Sequence, residues 1–137
     1  MKKILKGLSV ALLVVVCMLA FAGCDTSSKI KKAYENEGYT VSTVDKDNTL
    51  VKATITSALT ADQQKEIADY EIIYAVKAVV NTAVVIKFPS SGDLKKFFTT
   101  DDGDTSAYDK VKDNDQVNGN CYLVTYLGGA KDVFKNA

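Results

Sequence analysis

The first 24 residues decide how much of this chain can fold in water. "MKKILK" supplies Lys2, Lys3 and Lys6 with no acid, and "GLSVALLVVVCMLAFAGC" follows as 18 residues without a charge. A basic start, an apolar centre and small residues at the end make the layout of a secretory signal peptide. A membrane-spanning helix needs about 20 apolar residues. This run is shorter, and it ends in Ala22-Gly23-Cys24 with no aromatic or basic anchor. A retained span is therefore the weaker alternative. Setting residues 1–23 aside leaves 114, enough for one core without obligatory staples.

Where the leader is cut sets what the remainder is. Ala20-Phe21-Ala22 offers a small-x-small site for ordinary signal peptidase, which would release a soluble secreted chain starting at Gly23. Cys24 and Cys121 could then form a disulfide, a bond that exported proteins tolerate. Phe21-Ala22-Gly23-Cys24, in contrast, resembles the bacterial lipobox, in which Leu, a small residue and Gly or Ala precede the cysteine. Phe21 departs from that pattern. The lipobox is the preferred reading. Cys24 stands before the polar Asp25-Thr26-Ser27-Ser28, where a disulfide would staple a frayed end and an acylated cysteine would have a short tether. Ala22 and Gly23 then flank the cut, Cys24 carries covalent lipid, residues 24–28 are the tether and residues 29–137 form one domain. Two acyl chains hold firmly, at about 0.8 kcal/mol per buried CH₂. The expected place is the outer face of the cytoplasmic membrane, with secretion as the alternative.

Composition removes several functions from the domain. Residues 24–137 hold 14 Lys against 17 Asp and Glu, a net charge of −3, and the chain has no Arg, His or Trp. Without a basic patch or a bidentate guanidinium, nucleic acid is not an expected partner. Without His, a Ser-His-Asp or Cys-His site cannot be built, and the commonest zinc ligand is missing. Cys17, Cys24 and Cys121 show no CxxC spacing, so no metal centre or cofactor is expected beyond the lipid on Cys24.

Helix and strand signals alternate in short blocks. Residues 28–37 follow a serine-rich cap and stop at Gly38, the pattern of a helix with its C-terminal glycine. Residues 39–44 and 49–57 alternate apolar and polar, which predicts a hairpin across the turn at 45–48. Thr60 and Gln63 make a capping box for a second helix. Residues 70–78 and 83–88 are rich in β-branched residues and read as strands around Asn81-Thr82. One long helix over 61–80 is the competing reading, since Ala68, Ile72, Val76 and Val79 also fall at helical spacing. Pro89 ends the strand, and Ser90 or Ser91 caps a helix over "GDLKKFF". A polar stretch from 99 to 106 leads to a last hairpin turning at Asn118-Gly119. Gly128-Gly129 introduces a final short helix. The expected fold is α+β: a mostly antiparallel sheet with short helices on one face, built from three helix–strand–strand units. Ile30, Ala33, Tyr34, Leu94, Phe97, Phe98, Val133 and Phe134 are the residues those helices would hide.

The leader with its Ala-Gly-Cys end, "KIKKAYENEGYTVS" and "SSGDLKKFF" together look like small cell-surface lipoproteins of low-GC Gram-positive bacteria. The resemblance implies location and fold class, and carries over no functional residue.

Within the domain three sets of residues invite a chemical reading. Asp101, Asp102, Asp104, Asp109, Asp113 and Asp115 cluster, but no stretch has the acid, glycine and glutamate spacing of a calcium loop. Two of them could serve a small carboxylate-dependent hydrolase or lyase if held about 5–9.5 Å apart. Cys121, with no histidine to activate it, reads as a buried inert thiol. Tyr70, Tyr74, Tyr122 and Tyr126 form a candidate binding face on the open side of the sheet, where alternation places Tyr122, Val124 and Tyr126 together. The histidine-dependent and zinc-dependent templates fail on a missing residue type. The leading expectation is a non-catalytic binding or accessory protein of the envelope, with an unknown protein or cell-wall partner.

Overall fold

The structure is a computed structural model that describes residues 26–78 and 80–137. Among these residues the elements run α1 (Thr26–Asn36), β1 (Thr40–Val44), α2 (Lys52–Ala58), α3 (Ala61–Glu66), β2 (Glu71–Lys77), β3 (Asn81–Lys87), α4 (Ser91–Phe98), α5 (Ser106–Asp113), β4 (Val117–Asn118), β5 (Cys121–Leu127) and α6 (Ala130–Lys135). The five strands form one antiparallel sheet in the order β1-β2-β3-β5-β4. The fold is α+β, as the alternation of short signals indicates, and six short helices pack against the sheet.

The helices cover both faces of that sheet, not one. The strands explain why. Ile72 and Ile73, Ala83 to Ile86, and Cys121 to Val124 are unbroken buried apolar runs, so side chains pointing either way need cover. On one face Ile72, Val84, Ile86, Tyr122 and Val124 meet Val51, Ile55 and Leu59 around α2, Ile67 after α3, and Leu94 and Phe97 of α4. On the other face Ile73, Ala75, Val85, Cys121 and Leu123 meet Ile30 and Tyr34 of α1 and Ala130 and Phe134 of α6.

Local signals fix several elements as expected. Thr60 and Gln63 close a reciprocal capping box on α3, and the Ser90 hydroxyl accepts the Asp93 N–H at 3.0 Å to start α4. Gly38 (φ 89°) turns the chain out of α1, and residues 71–77 are strand, not the tail of a long helix.

Other expectations give way. Residues 49–57, expected as the second strand of a hairpin, hold α2 instead. Val51, Ile55 and Leu59 are buried at a spacing of four while Ala53 is exposed, so tertiary burial overrides the β-branched composition. With that hairpin gone, the three helix–strand–strand units reduce to two. Helix α5 fills the segment after the polar stretch, where the sequence led straight into the last hairpin. Half of its eight residues are charged, and Tyr108 and Val111, three apart, are the side chains that pack on the core. The last hairpin turns one residue later than expected, with Gly119 (φ 61°) first in a two-residue loop between Asn118 and its partner Cys121. In the β2–β3 hairpin Asn81 and Thr82 lie within β3, and the last pair before the connection is Lys77 with Asn81.

The start of the domain also moves. Thr26, Ser27 and Ser28, expected as tether, are the first turn of α1, and Ser27 is 2 % exposed. Cys24 with its flanks Ala22 and Gly23, the leader and Cys17 lie outside the described residues.

Candidate functional site

Two strand registers define the end of the sheet next to the start of α1. Glu71 pairs with Lys87, and Lys87 with Cys121, so these three residues form a row across β2, β3 and β5. Helix α1 lies over that face, and Lys31 Nζ reaches Glu71 Oε2 at 3.3 Å. Glu71 Oε1 is buried and has no hydrogen-bond partner among the described residues. Cys121 is fully buried in the same cluster as Ile30, which agrees with an inert thiol more than a nucleophile.

One residue further on, the β4–β5 turn touches the first residue of α1. Gly119 has no room for a Cβ, because the Thr26 side chain occupies that space. Next to it Asn120 accepts the Phe88 N–H at 2.8 Å and donates its own amide to the Phe88 carbonyl. Asn118 Nδ2 donates to the Phe134 carbonyl at 2.9 Å. The turn therefore binds the start of α1, the end of β3 and the last helix together. It sits two residues from Cys121 and against a residue two from Cys24.

The four tyrosines are not brought together into one open face. Tyr122 is 7 % exposed, stacked edge-on with Phe98 at 4.9 Å beneath α4. Tyr70 and Tyr74 pack half-buried on the same cluster. Tyr126 lies on the opposite face, with Lys131 Nζ 5.1 Å from its ring. A bulge causes the separation. Val84 pairs with Thr125 and Val85 with Leu123, so Val124 is an extra residue that reverses the alternation after it. Nothing in "NCYLVTYL" marks that bulge in advance, whereas the unbroken apolar runs of β2, β3 and β5 do announce two covered faces.

The carboxylates between 101 and 115 are all exposed. Asp104 accepts from the N–H and hydroxyl of Ser106 at 2.9 and 2.6 Å, and Asp102 accepts from the Thr100 hydroxyl. These hydrogen bonds hold both carboxyls below the ordinary aspartate range, which suits loop-building acceptors and not a proton donor near neutrality. Asp109 and Asp113 border a shallow open groove along α5 with Ser106, Lys110 and Asn114. Among the described residues no group of three or more Asp, Glu, His or Cys is placed to hold a metal ion. A second groove, between α1 and α6, is lined by Ala33, Asn36, Glu37, Asp132, Val133 and Asn136.

Among the described residues three large apolar side chains are exposed: Leu50, 61 % exposed before α2, and two at the other end of the sheet. Val80 in the β2–β3 turn is 66 % exposed, and Leu127 at the end of β5 is 55 % exposed. Among the described residues no helix is long and apolar enough to cross a membrane. A scan against protein-family models, a search of curated proteins and a search of solved structures found no match to this chain.

Proposed function

We propose that this chain is a membrane-anchored extracytoplasmic lipoprotein, acylated on Cys24, whose small α+β domain is a non-catalytic binding or accessory module of the cell envelope. One structural observation carries the reading. Thr26 and Ser27 open α1, Ser27 is buried and Ile30 is packed in the core, so an acylated Cys24 would join a folded helix after the single residue Asp25. The leader and the Ala22-Gly23-Cys24 junction supply the rest, by their likeness to a lipoprotein signal. The intact mass of the mature protein from native membranes tests the proposal. The expected species starts at Cys24 and carries a diacylglyceryl group, and Cys24→Ala abolishes it. An unmodified chain starting at Gly23 would refute it.

A second reading has its own observation. Thr26, the first residue of α1, packs on the turn at Gly119, two residues before the buried Cys121. A soluble form could hold a Cys24–Cys121 disulfide, made when both thiols pass their hydrogens and two electrons to a disulfide oxidant of the exported compartment. The two fates exclude each other, because one sulfur cannot carry both bonds. The same mass measurement separates them: the bridged chain is two hydrogens lighter than its sequence and has no acyl group.

A further inference from the structure

We infer that the acylated protein stands on the lipid headgroup layer on the end of the sheet that bears the β4–β5 turn, with Val80 and Leu127 pointing away from the membrane. This rests on the lipoprotein reading above. Asp25 is the single residue between Cys24 and Thr26, and two chain steps span at most about 7 Å. Thr26 is itself seated, its side chain filling the space beside Gly119, and Ser27 behind it is buried. The lipid-bearing residue is therefore held close to a fixed point of the fold, at the end of the sheet where β2 begins, β3 ends and β5 begins.

The opposite end is a strand length away. There Lys77 pairs with Asn81 and Thr82 with Leu127. Seven-residue strands such as β2 and β3 separate the two ends by about 20 Å. A one-residue tether does not let the domain turn end over end, so the far end meets lipid only if the domain lies flat. A flat pose gains no general attraction, because residues 24–137 carry a net charge of −3 and anionic headgroups repel it. Standing upright, the protein presents Val80 and Leu127 away from the lipid.

The absence of tryptophan makes the test direct. Single-tryptophan variants Ser28→Trp, exposed in the first turn of α1, and Val80→Trp are prepared as full lipoproteins. Each is placed in phosphatidylglycerol vesicles containing a headgroup-spin-labelled lipid. Ser28→Trp is expected to lose most of its emission to the spin label while Val80→Trp keeps nearly all of its own, and Leu127→Trp serves as a second far reporter. Quenching of Val80→Trp and Leu127→Trp as strong as that of Ser28→Trp would overturn the orientation. The mass of the same samples separates the two failures. A missing acyl group removes the lipoprotein reading and this inference with it, whereas an acylated protein with its far end quenched removes the orientation and leaves the anchor standing.

Discussion

The two faces of the sheet are covered by different parts of the chain and held by different forces. The face under α2, α3, α4 and α5 is closed by the middle of the sequence. Its centre is a run of edge-to-face rings from Tyr70 through Phe88, Phe97 and Phe98 to Tyr122, with centroids 4.9–5.2 Å apart. The face under α1 and α6 is closed by the two ends of the domain. It uses fewer large rings and more directional bonds: the Tyr34 hydroxyl donates to the Ala130 carbonyl at 2.7 Å, and Asn118 holds the Phe134 carbonyl. The difference teaches where each face is vulnerable. Apolar volume decides the first, and the second depends on whether the start of α1 stays seated, which is also where an anchor on Cys24 would pull.

Phe88→Ala strikes the first face hardest. Phe88 is fully buried with rings on two sides, so a loss of about 3–5 kcal/mol is expected in urea unfolding. A loss below about 1 kcal/mol would mean that the rings do not form a packed core. Gly119→Ala probes the second face at its seat. The left-handed backbone and the collision with Thr26 should together cost about 2 kcal/mol. Part of that cost should return in the Thr26→Ala background, and an additive double mutant would dissolve the proposed contact.

Tyr34→Phe and Tyr122→Phe then compare the faces at one chemical group. Burial pushes both phenols above their ordinary value, with Tyr39 adding to the effect at Tyr34. The unfolded chain therefore ionises first. The stability linked to these groups is intact below pH ~10 and declines as pH rises beyond it. Each substitution should flatten that alkaline decline. Near neutral pH, Tyr34→Phe should cost about 1 kcal/mol for its lost hydrogen bond, while Tyr122→Phe should leave stability almost unchanged. Equal effects at pH 7 would erase the distinction. Smallest is Ser90→Ala, which removes the cap of α4 and should cost about 0.5–1 kcal/mol by thermal melt without altering the alkaline limb.

Much of this was legible in the residues. Gly38 after α1, the Thr60–Gln63 box, Ser90 after Pro89 and the glycine of the last hairpin each act on immediate neighbours, so their signals survive without knowledge of the fold. The α+β class follows from their alternation. Residues 49–57 were not legible in the same way. Alternation and β-branching favoured a strand there, and the helix wins because Val51, Ile55 and Leu59 find a buried face to share. The tyrosine face failed for a related reason: one extra residue, Val124, sends Tyr122 and Tyr126 to opposite sides.

By itself the sequence determined the α+β class and most of the caps and turns, and it alone raises the proposal of a leader and of acylation at Cys24. These depend on composition and on bonds between residues close in the chain. The tertiary structure decided that both faces are covered, that residues 26–28 belong to α1, and that Thr26 sits on the turn beside Cys121. Such outcomes depend on which distant surfaces are there to bury an ambiguous segment, and no local pattern contains that information.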